Sequence, residues 1–402
     1  MGQMLKPPRK LKTPVRALGW VSLFADLASK MVYPITPIFL TSVLGAPAWT
    51  VGVIEGIAES AASLLKLYSG WLSDRVGRRK PLAVAGYGLG AVSKLGLAIA
   101  ASWGAVLGAR LIDRVGKGLR AAPRDALIAE NCAPQQRGQA FGLHHSLETV
   151  GEVLGPLLGL WALQQLGESY RGVFAIAALP ALFSVLVLLK WVKEPPLPAA
   201  QPRTRPQFTL RGLSPGYRRY LIVIGLFSVG NSSDAFLLLR SQDLGFGSQQ
   251  LLLLYALFNL MSVGLGLAIG RLSDRVGRRP LLAIGYLVFA GVYLGFAIAQ
   301  RAEVLWGLFM LYGLYVALTR GVQKALVTDW VHPDRRGAEI GTFHMLVGLA
   351  ALPASLIAGV LYTRVSAAAP FYLSAVTGLA AALLLGWVHT SPLVGQGLER
   401  GR

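Results

Sequence analysis

The chain has 402 residues, 54% hydrophobic and 14% charged, and its mean hydropathy of +0.53 excludes an ordinary soluble protein. Lys and Arg number 39 against 19 Asp and Glu, a formal charge of +20, but the cations fall in short bursts between apolar runs, which reads as loops beside a bilayer and not as a nucleic-acid surface. A single cysteine, Cys132, excludes intramolecular disulfides and cysteine metal clusters, and five histidines without paired ligand spacing give no support to a zinc site.

A basic stretch from Met1 to Arg16 precedes an apolar segment too long and too charged for a signal peptide. No small-residue cleavage site follows, so this first helix is expected to stay in the mature chain. Cutting the chain at charge bursts and Pro/Gly turns leaves twelve segments of spanning length, at about 16–44, 49–73, 80–101, 104–130, 138–165, 170–192, 219–241, 248–272, 279–299, 303–330, 337–363 and 368–389. Of the 39 cations, 25 lie on the side of the N-terminus, three (Arg171, Arg301 and Arg364) lie opposite, and 11 lie inside the spans. That asymmetry predicts a multi-pass protein with both termini in the cytoplasm, in a bacterial inner (plasma) membrane.

Between spans six and seven runs a Pro-rich basic stretch, which predicts three regions: a six-helix bundle over 1–192, a cytoplasmic linker over 193–218 and a second six-helix bundle over 219–402. The halves repeat. Leu72 to Arg79 recurs letter for letter as Leu272 to Arg279, Pro134/Arg137/Gly138 return as Pro333/Arg336/Gly337, and His145 aligns with His344. Six helices separate the copies, so the repeat is parallel.

Gly70, Leu72, Asp74, Arg75, Gly77, Arg78 and Arg79 spell G-x-L-x-D-R-x-G-R-R, which closely resembles the loop signature of the major facilitator superfamily. The second half repeats its core with Asp274 and Arg275. The resemblance covers essentially the whole chain and implies an all-α membrane fold of twelve transmembrane helices in two parallel-repeat bundles. It further implies that this loop is a conformational latch, whose charge-assisted contacts to a neighbouring helix end break when the halves rock. Gly142, Gly151, Gly155, Pro156 and Gly159 fit the family's antiporter motif, with Leu160 replacing its last glycine. Small residues at this spacing form a face for close packing, and Pro156 permits a bend.

Span four carries Arg110, Asp113, Arg114, Lys117, Arg120, Arg124 and Asp125. A charge at mid-membrane costs about 2.5–3.5 kcal/mol even on the lenient scale. Positions 110, 114, 117, 121 and 124 fall on one stripe, which must line a watery cavity or pair with another helix. Arg114 and Gly118 resemble the family's R-x-x-Q-G, whose arginine is associated with proton coupling, with Lys117 in place of the glutamine. On other spans charged residues stand one turn apart: Asp26 and Lys30, Glu55 and Glu59, Glu148 and Glu152. With seven acids against eight bases in the first half's spans, a paired buried network is expected. A proton carrier needs a desolvated site and a displaceable cation, which points to Asp26 beside Arg114, with Glu148 or Glu152 as substitutes.

The family fold places spans 1, 4, 7 and 10 around the central cavity, which implies substrate contacts from Tyr33, Asn231, Asp234, Arg320 and Lys324, with Tyr255 and Asn259 of span eight beside them. Asp234 has a second reading, as the neutraliser of Arg240 at an awkward helical separation. His144, His145 and Glu148 mimic ligand spacing, but adjacent histidines diverge by about 100° on a helix, so only one is expected to face Glu148. Gly86, Gly88 and Gly90 follow no strand and no phosphate-binding loop occurs, which argues against nucleotide.

The expected function is secondary transport, not enzymatic catalysis: export of a small solute in exchange for protons, with no cofactor and no nucleic acid, by a monomer in a lipid bilayer. The alternatives are an importer or exchanger of an anionic metabolite, and a receptor or scaffold on a non-transporting copy of the fold.

Overall fold

The computed structural model describes residues 11–76, 78–133, 136–194, 213–330 and 336–388. Among them every regular element is helical. In chain order the long helices are α1 (Thr13–Val43), α2 (Trp49–Val76), α3 (Lys80–Ala98), α4 (Trp103–Glu130), α5 (Arg137–Gln165), α6 (Tyr170–Trp191), α7 (Pro215–Asp243), α8 (Ser248–Val276), α9 (Arg278–Ile298), α10 (Val304–Trp330), α11 (Arg336–Arg364) and α12 (Ala369–Leu384). Twelve apolar segments thus become twelve helices, close to the expected bounds. Nine contain a window apolar enough to cross a membrane. The exceptions, α2, α4 and α5, are the three that carry most of the first half's charge.

Helix starts follow local chemistry. Ser102, Ser169 and Ser214 each accept a hydrogen bond from the backbone N–H three residues on, satisfying an otherwise orphan donor. Proline near the start of α1, α3, α7 and α12 sits where no intrahelical N–H is needed. Ser214 and Pro215 begin α7 four residues before the apolar run; of the expected linker, residues 195–212 lie outside the described set.

Two helices are irregular. α1 is α-helical through Val32, tightens to a 3₁₀ turn at Tyr33–Ile35 and loosens to a π turn at Phe39–Val43, around Pro34 and Pro37. α7 breaks into Pro215–Gly230 and Ala235–Asp243, with Asn231, Ser232 and Ser233 unwound between them.

Within the first half α1 packs on α5 and α6, α4 on α2 and α3, and α3 on α6; the second half repeats the scheme, with α7 on α11 and α12, α10 on α8 and α9, and α9 on α12. The halves meet through α2 against α11 and α5 against α8. These contacts concentrate at the membrane face away from the chain's described ends. A Cβ on Gly52 would lie 2.2 Å from the Ser355 carbonyl, one on Gly348 would meet Ser63, and Ser60 donates 2.8 Å to the Gly348 carbonyl. Towards the other face the same helices leave polar side chains uncovered: Lys66 on α2, Lys117 on α4, His145 on α5 and Lys324 on α10 are exposed. The cavity between the halves therefore opens to the side on which α1 begins and α12 ends, and is shut on the far side.

Candidate functional site

Helix α4 brings the charges together. Arg110, Asp113 and Arg120 are buried, and each finds a partner. Arg110 donates to Glu55 Oε1 at 2.6 and 3.0 Å and lies 4.0 Å from Asp113, which also accepts from Lys94. Arg114 reaches Glu55 at 3.8 Å and Glu59 at 3.6 Å. Arg120 lies over the Tyr87 ring at 4.4 Å, and Arg124 clamps Asp125 at 2.8 Å and Glu148 at 2.7 Å. The expected buried network is thus present. The expected Asp26–Arg114 pair is not, because Glu55 and Glu59 on the α2 face opposite Arg114 take that guanidinium. Among the described residues Asp26 makes no ion pair or hydrogen bond; it sits in Coulombic range of Glu148, Glu152, Lys117 and Arg120.

The α1–α5 seam explains where Asp26 and Lys30 lie. A Cβ on Gly151 would meet the Leu23 carbonyl at 2.6 Å and Asp26 Cβ at 3.2 Å; on Gly155, Lys30 Cβ at 2.6 Å; on Gly159, the Met31 carbonyl at 2.9 Å. Three glycines beside the buried Pro156 thus let two backbones touch and deliver Asp26 and Lys30 to the cavity. Gly142 takes no part, since that end of α5 faces open space.

At the apex of the cavity one carboxylate joins the halves. Glu152 lies 3.8 Å from Lys30 of its own half and 4.0 Å from Arg320 on α10. Lys30 donates to the Tyr255 hydroxyl at 3.2 Å, and the Tyr33 hydroxyl pairs with Ser233 in the α7 break at 3.2 Å. Tyr33 and Tyr255 lie with ring centroids 5.5 Å apart. On the far side the closure is completed by Ser42 with Gln242 at 2.6 Å, Tyr170 with Ser248 at 2.5 Å, Gln164 with Gln249 at 3.3 Å, and Gln249 donating to the Glu168 carboxylate at 3.2 Å.

In the second half, Asp234 accepts from the Tyr312 hydroxyl at 2.5 Å, while Arg240 instead donates to the Phe296 and Ala299 carbonyls. Asn259 is buried and donates 2.7 Å to the Tyr255 carbonyl of its own helix, so it braces α8 and does not reach the cavity. Asn231 is half-buried where the first piece of α7 ends. Lys324 and Arg320 are exposed on the cavity face of α10.

Both His144 and His145 bring Nδ1 to 3.7 Å from Glu148 Oε2, so the expectation that only one shares its face is corrected: three- and four-residue spacings both reach it. Buried His144 turns Nε2 to Ser22 Oγ at 2.7 Å, and that hydroxyl also meets Tyr87. No group of three His, Cys, Asp or Glu residues among those described has metal-site geometry.

The loop signature makes contacts that its spacing alone does not single out. Arg79 pairs with Glu130 at the end of α4 at 2.7 Å, and Glu194 accepts from the backbone N–H of Arg79 and of Lys80. Gly70 packs on Ala122, Arg75 lies over Trp71 and Arg78 is exposed. Gly77 and the Asp74 side chain lie outside the described residues. In the second copy Arg278 caps the Ala325 carbonyl and stands 3.8 Å from Asp274, while Arg275 is exposed and Arg279 donates to the Leu385 carbonyl. Each of these contacts stays inside its own half, except that Glu194 belongs to the start of the expected linker.

A twin bundle with a central charged cavity can be compared with known proteins. An uncharacterized MFS-type transporter of Methanocaldococcus jannaschii is 36% identical over 94% of this chain and 95% of its own length. The multidrug resistance protein MdtH of Escherichia coli is 24% identical over 92% of this chain and 94% of its own. Among solved structures, a peptide transporter POT in complex with sulfate superposes with a TM-score of 0.75 over 95% of each chain at 14% identity. The sequence profile of the Major Facilitator Superfamily matches residues 18–240 and 221–401, and the chain belongs to that superfamily of membrane transporters.

Proposed function

We propose that the protein exports a small solute from the cytoplasm in exchange for protons, by alternating access between its two halves. The observation that carries this reading is Glu152, held between Lys30 of one half and Arg320 of the other at the blind end of a cavity open on one side only. A carboxylate that bridges two moving bodies changes its partners whenever they move, so occupation of the site and orientation of the cavity are energetically linked. The excess of cations beside the open mouth orients that mouth to the cytoplasm. The resemblance to a multidrug resistance protein favours the outward direction.

Asp26 is the proposed proton carrier. It lies one turn from Lys30, makes no hydrogen bond or ion pair among the described residues, and senses Lys117 as well as both α5 acids. The test uses proteoliposomes enclosing a pH-sensitive dye. Adding anionic, cationic and neutral solutes should move protons for at least one class in the wild type, and Asp26→Asn should bind that solute without moving protons. Binding without proton movement in the wild type refutes the coupling; full coupling in a well-folded Asp26→Asn protein moves the carrier to Glu148 or Glu152.

A further inference from the structure

The pairing of the cavity's charges is uneven. Lys94, Arg110, Arg114, Arg124 and Lys30 each have a carboxylate within 4.0 Å. Lys66, Lys117 and Lys324 are exposed and, among the described residues, their ammonium groups make no ion pair or hydrogen bond. Arg320 is 61% exposed and, among the described residues, pairs with Glu152 alone, at 4.0 Å. On the acidic side Asp26 is the counterpart without an ion-pair partner among the described residues, since Asp234 is held by Tyr312.

The placement of these cations is not that of a membrane anchor. Lys117 lies near the middle of α4, and Arg320 and Lys324 lie one turn apart on α10, the same helix of the second repeat. Lys117 and Arg320, from opposite halves, are both in Coulombic range of Glu152. Lys324 is in Coulombic range of Lys66 and Arg320 but also of Glu148 and Asp125, and Lys117 of Arg114 and Lys30 but also of Glu59 and Asp26. While the cavity is open, water and salt screen them. When α4 and α10 approach to close it, the same charges lose water and repel in a low-dielectric space, a cost that the carboxylates in range offset in part and that a negative charge entering with them lowers further. A neutral or cationic solute would leave the repulsion in place.

We infer that the transported solute is a small organic anion, its charged group held between Lys117 on one side and Arg320 with Lys324 on the other, and its remainder against the Tyr33–Tyr255 pair at the apex. This rests on the transporter reading above. It also accounts for the long Arg320–Glu152 contact, because Arg320 exchanges Glu152 for the solute and arrival of the anion loosens the ionic link across the halves.

The inference is tested by isothermal titration of the purified full-length protein, in detergent at low salt, with citrate, inorganic pyrophosphate and 1-naphthalenesulfonate, and with tetraphenylphosphonium and sorbitol as cationic and neutral probes. At least one anion should bind. Its affinity should fall about tenfold in Lys117→Gln and again in Lys324→Gln, each removing one charge-assisted contact, and return in Lys117→Arg. Arg301→Gln, the same change of charge on the far side, should leave it unaltered. These lysines are exposed, so the variants retain the fold; monodisperse elution and an unchanged melt check this. Binding of tetraphenylphosphonium or sorbitol without any anion, anion affinity equal in Lys117→Gln and Arg301→Gln, or no binding by any anion overturns the proposal. Anion binding without pH-driven flux would instead refute proton-coupled transport and leave the anion site standing.

Discussion

Removing the charge of Glu55 tests whether the α2–α4 contact is a true buried pair. Glu55 and Arg110 have side chains only 8% and 4% exposed, and both bonds from Arg110, at 2.6 and 3.0 Å, end on one oxygen. Breaking a buried pair by neutralising one member typically costs about 3–5 kcal/mol, because the other charge is left in the interior. Two features place Glu55→Gln near the lower end. The amide oxygen still accepts one bond, and Asp113 stands 4.0 Å from the same guanidinium, a separation worth about 4 kcal/mol at an effective dielectric of about 20 before it is shared with Lys94. A loss of about 3 kcal/mol is therefore expected, read as reduced resistance to denaturant in detergent. The double variant Glu55→Gln/Arg110→Met should be less destabilised than the sum of the two singles, since no guanidinium is left stranded at that position. A single variant as stable as the wild type, or a double variant worse than the sum of the two singles, would refute the buried-pair account.

Four further outcomes follow from the same geometry. Gly155→Leu should abolish folded protein, as even a Cβ would stand 2.6 Å from Lys30 Cβ, while Gly142→Leu, with nothing within 4 Å, should express and melt like the wild type; equal behaviour of the two would undo the assigned seam. Arg79→Gln removes a charge-assisted pair worth about 1.5–3 kcal/mol within one half, so it should lower stability without shifting the balance of inward and outward states; altered labelling rates from either side would show that it acts as a latch. In a Cys132→Ser background, Lys117→Cys should react with a charged thiol reagent added from the side of the termini, and Ser60→Cys, sealed against Gly348, should not; the reverse order would invert the cavity's orientation. Asp74→Asn should slow turnover and spare solute affinity, whereas lost affinity at an intact rate would contradict the latch role drawn from the loop signature.

The number and extent of the helices were legible because a spanning helix announces itself by length and hydropathy alone, and the charged α4 was legible as a stripe because helical period fixes which residues share a face. Partners were less so. Which acid Arg114 meets depends on the relative depth and rotation of α1, α2 and α4, and a shift of one helical face gives it Glu55 and Glu59 in place of Asp26. Asn259 has the position of a cavity contact, yet its amide bonds the Tyr255 carbonyl one turn back, an arrangement open to any buried asparagine in a helix. The break in α7 did leave a trace: Asn231, Ser232, Ser233 and Asp234 are consecutive residues that favour caps and turns over helix interiors, an unusual run within an apolar span. Arg79, Glu130 and Glu194 are far apart in sequence, and nothing in their spacing foretold that they would meet.

The far-side closure has a kinetic consequence. Its cross-half bonds join uncharged groups at Ser42–Gln242, Tyr170–Ser248 and Gln164–Gln249, together with the Glu168 carboxylate, which accepts from Gln249 at 3.2 Å, whereas the cavity on the other side is ringed by lysines that make no ion pair among the described residues. The two ends of the transport path therefore answer differently to electrolyte. Adding salt shortens the reach of the lysines' field and slows capture of a charged solute, but acts much less on short-range hydrogen bonds that are mostly between neutral groups, so the rate at which the far side unzips changes less. Ionic strength thus becomes a dial that acts more on loading than on release, distinguishing the two in a single protein without altering a residue.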